Sequence, residues 1–364
     1  MFSAADVREI HLEVTSRCNA SCPMCPRNVS GGALNPNLPL TELSLADVKA
    51  ILPEAFVRQL KRLYMCGNYG DAMVARDTLD IFRYLRAANP SMALRLFTNA
   101  SGRDAAWWSA LAKTVDTCVF SVDGLEDTNH LYRKGTDWKK IRAAMDAFLG
   151  AGGKAEWHFL VFRHNEHQVE EARALAKRLG FVKFVTKKTE RFLKDGRRVD
   201  RKEVLDEEGR VLYWLERPLA EQHQNEALGS IEALGSRSSG YDDYLQTTPI
   251  DCKALKDRQL YVTAEGLVLP CCWTAKLYDA RRPNGQGELW RLLQRSGGKD
   301  AVDGRKRSIR DIVAGPLFQA EVPAAWEPGS AARKGLLACA RACGALDIMK
   351  NQRDATPKKE AAER

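Results

Sequence analysis

Short apolar runs rich in β-branched residues recur along the first half of the chain. Between them lie longer stretches whose apolar positions fall three or four residues apart. The runs Glu9–Val14, Arg62–Cys66, Ala93–Thr98, Thr117–Val122, Trp157–Phe162 and Val182–Thr186 predict strands. The stretches Leu45–Leu60, Trp107–Ala112, Trp138–Leu149 and Gln168–Leu179 predict helices, and Ser44 with Asp47 three residues on is a capping-box variant. Strand–helix alternation of this kind means βαβ units, a parallel sheet and right-handed crossovers. Six such units make an open sheet or a partial barrel, and either places active groups at the carboxyl ends of the strands.

The pattern changes after residue 186. Residues 183–202 hold nine Lys/Arg and three Asp/Glu, and a polar stretch follows with EALGS twice and SRSSG. It reads as a basic and polar insertion or linker over 187–245. A compact β-like piece, QLYVTAEGLVLPCCW, and a helical pattern over Lys334–Met349 place a second, smaller unit at 246–350. Residues 351–364 are charged and poor in apolar positions, the composition of a flexible tail.

Composition then narrows the class. Of 364 residues, 45% are hydrophobic and 28% charged, which excludes wholesale disorder. No apolar run approaches the roughly 18 residues of a membrane span, and the start MFSAADVREI lacks a signal-peptide pattern. A cytoplasmic protein with no membrane partner is expected. The formal charge of +9 favours an anionic partner only mildly. Ten cysteines in such a chain are expected to be reduced thiols, so their clustering points to metal or catalysis.

Directly after the first strand stands Cys18-Asn-Ala-Ser-Cys22-Pro-Met-Cys25. Three thiolates on one loop can hold three irons of a [4Fe–4S] cluster and leave the fourth open, whereas closed structural zinc wants a fourth ligand nearby. At these residues the chain resembles the radical S-adenosylmethionine (SAM) enzyme superfamily over residues 8 to about 186. The resemblance implies a partial (βα)6 TIM-like barrel over 1–186. It also implies a cluster held by Cys18, Cys22 and Cys25 that binds SAM and cleaves it to a 5′-deoxyadenosyl radical. Cys66-Gly-Asn-Tyr-Gly70-Asp71 is similar to the family's Gly-Gly-Glu-Pro loop, with Asp71 in place of Glu near the SAM ammonium and Gly70 keeping the backbone accessible. Thr98-Asn99 is similar to Thr-Asn-Gly, with Ala100 replacing Gly. Ser121-Val-Asp123-Gly124 followed by Arg133-Lys-Gly135 resembles the S-x-D-G…R-x-G stretch. Ser121 and Asp123 share a strand face, and Arg133 is a candidate partner for the SAM carboxylate. Met24 sits where the family has an aromatic residue against adenine.

A second cysteine group follows the linker. Cys252, thirteen residues, Gly266, four residues and Cys271 match the signature of SPASM and twitch domains, and Cys339 and Cys343 supply two more thiols one helical turn apart. The resemblance implies one auxiliary [4Fe–4S] cluster on Cys252, Cys271, Cys339 and Cys343. A four-cysteine zinc ribbon is the rival. Cys66, Cys118 and Cys272 are left over. Cys118 lies out of phase with Ser121, as a buried structural thiol would, while Cys66 and Cys272 are inert thiols, hydrogen-atom donors or alternative ligands. His164 and His167 suit a helix start as well as a site, Trp107-Trp108 is read as packing, and no GxxxxGK[ST] or GxGxxG occurs.

The reading is a radical SAM enzyme that takes hydrogen from a small-molecule or peptide substrate in a net two-electron oxidation. An external donor such as flavodoxin or ferredoxin is implied. The chain begins almost at its first strand, which mildly disfavours a peptide captured by a leader-binding domain. Its alternatives are a redox-neutral epimerase or mutase and, more remotely, a non-catalytic metal-binding module on nucleic acid.

Overall fold

In the computed structural model, residues 1–194, 196–235, 240–280, 282 and 284–346 are described. Six parallel strands, β1 (Glu9–Leu12), β2 (Arg62–Met65), β3 (Ala93–Thr98), β4 (Thr117–Ser121), β5 (Ala155–Leu160) and β6 (Lys183–Lys187), follow one another in order across the sheet. Their positions match the six expected runs, with ends shifted by one or two residues. The helices Leu45–Ile51, Thr78–Ala88, Ala105–Ala112, Trp138–Gly150 and Val169–Leu179 connect them. The fold is an α/β partial barrel.

Alternation along the strands explains its two faces. Ile10, Leu12, Leu63, Met65, Leu94, Leu96, Cys118, Phe120, Trp157 and Phe159 pack with the helices into one buried core. Each large apolar side chain so buried contributes about 1.5–3 kcal/mol. The residues between them, including Glu9, His11, Tyr64, Arg95, Phe97, Ser121 and His158, face the other side. There, rings contact across strands: His11–Tyr64 at 4.5 Å, Tyr64–Phe97 at 5.8 Å and Phe97–His158 at 6.0 Å between centroids. A polar, aromatic inner face replaces the continuous apolar run of a doubly covered parallel strand.

Three local expectations are corrected. The helix expected over Leu45–Leu60 is split at Pro53 into Leu45–Ile51 and Glu54–Val57, since proline cannot donate within a helix. The first piece does carry the capping box, with the Ser44 hydroxyl accepting from Asp47 N at 3.1 Å and the Asp47 carboxylate accepting from Ser44 N at 2.9 Å. The stretch read as an insertion or linker is a folded insertion. It holds the short hairpin β7 (Leu193–Lys194) and β8 (Arg197–Arg198), the hairpin β9 (Arg201–Leu205) and β10 (Val211–Glu216), and helices Ala227–Gly235 and Gly240–Thr247. Phe192, Val204, Leu215, Leu228, Ile231 and Leu245 form a second core that also buries Ala20, Cys22 and Tyr132. Hydrophobic residues hidden in a polar sequence cover the triple-cysteine loop.

The third correction concerns the C-terminal unit. Its strand β11 (Gln259–Val262) runs parallel to β1, pairing His11 with Tyr261, and β12 (Val268–Leu269) closes that edge antiparallel. The sheet therefore has eight strands among the described residues, ordered β12-β11-β1-β2-β3-β4-β5-β6. The helix expected over Lys334–Met349 appears as Ala331–Gly335 and Ala338–Cys343, and its end and the tail at 351–364 lie outside the described residues.

Candidate active site at the carboxyl ends of the strands

The chain leaves β1 and turns at once through Cys18, Cys22 and Cys25, the last two joined by Cys25 N donating to Cys22 O at 3.0 Å. Polar groups of this loop and of other loops meet the sulfurs. Ala20 N lies 3.3 Å and Asn99 Nδ2 3.7 Å from Cys18 Sγ; Arg133 Nη1 lies 3.9 Å from Cys22 Sγ; Cys25 Sγ lies 3.8 Å from the Asn68 carbonyl. Burial pushes the Cys22 thiol up to about 11, with the Arg133 charge opposing, and raises Cys18 and Cys25 as well. Cys18 lies within electrostatic reach of Cys22 and Cys25. Among the described residues, no three His, Cys, Asp or Glu side chains are set to hold a single metal ion. N–H and guanidinium donors aimed at Cys18 and Cys22 suit thiolate sulfur, and so the loop fits an iron–sulfur cluster.

The loop after β2 presses against this segment. A Cβ on Gly70 would lie 1.8 Å from the Thr15 carbonyl oxygen, so only glycine fits there. Asp71 is buried, its Oδ1 accepting from Met73 N at 3.0 Å and its Oδ2 from Asn99 N at 2.8 Å and the Thr98 hydroxyl at 3.1 Å. It thus brackets the β3 loop, whose Asn99 reaches Cys18, and keeps one acceptor position unused. At the end of β4, Asp123 accepts from Leu160 N at 2.6 Å and from Arg133 Nε at 2.6 Å. Burial raises the Asp123 carboxyl and the Arg133 charge opposes it. Ser121 lies on the inner face one residue pair before Asp123, and Met24 packs into the second core with its carbonyl accepting from Arg191 Nη1 at 3.1 Å.

Sequence reasoning missed three participants. Arg191, from the basic stretch, is half-buried, its Nη1 donating to the Met24 carbonyl at 3.1 Å and to the Tyr132 hydroxyl at 3.4 Å. Glu13 accepts from Tyr69 N at 2.7 Å and Gly70 N at 2.9 Å, and Tyr261 donates its hydroxyl to the same carboxylate. Burial pushes the Glu13 carboxyl up to about 7, and the bonds from Tyr261 and the two amides oppose that rise. Alternation from Glu9 and His11 could have placed Glu13 on the inner face; its partners could not be read.

The second cysteine group is Cys252, Cys271, Cys339 and Cys343. The Cys252 thiol is hydrogen-bonded to Cys343 and feels Cys271, while Cys339 feels both Cys271 and Cys343. Cys66 and Cys272 lie within electrostatic reach of each other, and Asn68 Nδ2 donates to Cys272 O at 2.9 Å, beside Cys25. Asn68 thus joins Cys25 to Cys272, the residue after Cys271. A cavity of about 610 Å³ opens between helix Ala338–Cys343, the segment after Cys272 and β7, lined by Glu190, Lys194, Trp273, Glu288 and Arg341 among others. Cys118 is buried in the main core; Trp108 is buried with its indole donating to Gly102 O at 2.8 Å; His164 stacks on Phe162.

Residues 12–176 match the family model described as the radical SAM superfamily, and this part of the chain is a radical SAM domain. Among solved structures, SuiB of Streptococcus suis is similar at 14% identity and a TM-score of 0.50, covering 74% of this chain and 61% of its own. The chain thus spans less than two thirds of that protein. A tagged form of anSMEcpe with bound AdoMet is similar at 14% identity and a TM-score of 0.50, covering 86% of this chain and 78% of its own. At such identity the likeness concerns the fold. No curated protein matches the chain.

Proposed function

We propose that this chain is a radical SAM enzyme carrying out a net two-electron oxidation of a small-molecule or peptide substrate. The observation that supports it best is the meeting of four strand-end loops at Cys18, Cys22 and Cys25, with donors from Asn99 and Arg133 aimed at sulfur. Cys18, Cys22 and Cys25 would hold the catalytic [4Fe–4S] cluster. Gly70, Asp71, Asn99, Ser121, Asp123 and Arg133 would surround SAM, with Met24 nearby. When bound, cluster and cosubstrate supply hydrogen-atom abstraction. The protein's part is position and dryness: the second core over Cys22 keeps water from the loop.

Cys252, Cys271, Cys339 and Cys343 would hold an auxiliary cluster. Four thiolates leave no open iron, so electron transfer is its natural role, with its potential tuned by burial. The cavity beside it, lined by both signs of charge, suits a polar substrate more than a purely anionic one. An external flavodoxin- or ferredoxin-like donor would deliver electrons. No helix among the described residues is long and apolar enough to cross a membrane, and we assign the protein to the cytoplasm on its cysteine usage.

The test is anaerobic reconstitution followed by product mass spectrometry in heavy water. Two clusters' worth of iron, SAM cleavage lost on replacing Cys18, Cys22 and Cys25 by Ala, and a product two hydrogens lighter are expected. Zinc at the second group would remove the auxiliary cluster. The thiols of Cys66 and Cys272, half-buried and within electrostatic reach of each other, favour a second reading, a redox-neutral epimerase in which one returns a hydrogen atom. Unchanged product mass in ordinary water, with one deuterium gained in heavy water, would select it.

A further inference from the structure

We infer that Glu13 and Tyr261 form a latch that positions the SAM-binding loop over the cysteine loop; the inference rests on the SAM site proposed above. Glu13 follows β1 on the inner face and is 2% exposed. A carboxylate so buried is costly unless its oxygens are bonded. Among the described residues it forms no ion pair. Its charge is met instead by backbone N–H groups of Tyr69 at 2.7 Å and Gly70 at 2.9 Å on one oxygen, and by the Tyr261 hydroxyl on the other. Such charge-assisted bonds are roughly twice as strong as neutral ones.

The two amides it holds immediately precede Asp71. Asp71 N donates to Arg17 O at 2.9 Å, one residue before Cys18, and Gly70 packs on Thr15. The loop is thus seated on the cysteine segment from below by Glu13 and from the side by Arg17 and Thr15. No other side chain of the described residues bonds the Tyr69 and Gly70 amides. Tyr261 lies on β11, so the latch also ties this loop to the segment that carries Cys252 and Cys271. Glu13 touches no reacting atom in this account; it is a positioning residue, acting through Asp71.

The experiment uses the full-length reconstituted protein, with SAM as probe. Hydrogen exchange of the peptide spanning residues 67–71 should be slow in the native protein and fast in Glu13→Gln, while β1 and β2 stay protected. Glu13→Gln should keep the iron of the three-cysteine cluster and bind SAM about tenfold more weakly or worse, the scale of a bond to a charged group. Tyr261→Phe, which keeps the carboxylate, should bind SAM a few-fold more weakly. Fast exchange at Tyr69 and Gly70 in the native protein overturns the latch, as does Glu13→Gln affinity within twofold of native. Should Glu13→Gln prove insoluble, Tyr261→Phe decides, and native affinity there overturns it. A native protein that binds no SAM removes the proposed function, while the exchange readout still judges the latch.

Discussion

Ala100 takes a φ of 60°, in the left-handed region that glycine occupies freely, and costs roughly 1 kcal/mol or more for doing so. Its N–H is held by the Thr98 hydroxyl at 3.0 Å, and the residue is fully buried. The departure from Thr-Asn-Gly is thus real in sequence and keeps the glycine geometry at a cost. Asp71 is where that loop is fixed. Asp71→Ala should weaken SAM binding by about 1.5–3 kcal/mol. The same carboxylate holds Asn99 N, and so the electron paramagnetic resonance of the cluster near Cys18 should change too. Calorimetry with native SAM affinity would show that Asp71 serves only the loop. His11 makes a second residue-scale prediction. Burial holds its imidazole down to about 4 from 6.5, as it does His164. In the folded protein these rings stay neutral between those values while the unfolded chain takes up protons. The stability they contribute is therefore full above pH 6.5 and lost as pH falls toward 4. Urea midpoints should drop from pH 7 to pH 5, and His11→Phe should flatten that slope; an equal slope in the variant would contradict it.

At the scale of elements, strand periodicity is legible in the sequence and strand partners are not. Ala93–Thr98 has its expected bounds, because every second residue there is buried. The 187–245 stretch reads as a linker because its apolar residues are sparse and belong to a core completed by distant Ala20, Cys22 and Tyr132. Lys134 Nζ donates to Gly31 O at 2.9 Å and Leu205 O at 3.0 Å, tying β9 to the cysteine loop. The cover is therefore predicted to be part of the active site. Phe192→Ala, emptying a fully buried site, should cost about 3–5 kcal/mol and hasten cluster loss in air. Absorbance decay of the cluster at native rate would mean that the segment covers nothing.

Across the whole molecule, β11 makes the C-terminal unit part of the barrel sheet rather than a separate appendage. A chain ending at residue 250 should lose the β1–β11 pairing, expose the β1 edge and leave Glu13 without Tyr261. It is expected to be insoluble or to show non-cooperative unfolding by circular dichroism. A soluble, cooperatively folding fragment that keeps one cluster would show that the barrel stands alone.

Local pattern alone determined the six strands, the capping box at Ser44 and the spacing of Cys18, Cys22 and Cys25, since each needs only residues a few positions apart. The grouping of Cys252 and Cys271 with Cys339 and Cys343 rests in the sequence on spacing and a resemblance; in the fold the Cys252 thiol is hydrogen-bonded to Cys343 across a long separation. What only tertiary structure decided is which buried polar group serves which loop. Glu13 finds partners 56, 57 and 248 positions away, and Asp71 binds a loop 28 positions on. Such contacts leave no period in the sequence, because their selection depends on the sheet order that closes the barrel, and that order is set by burial summed over the whole chain.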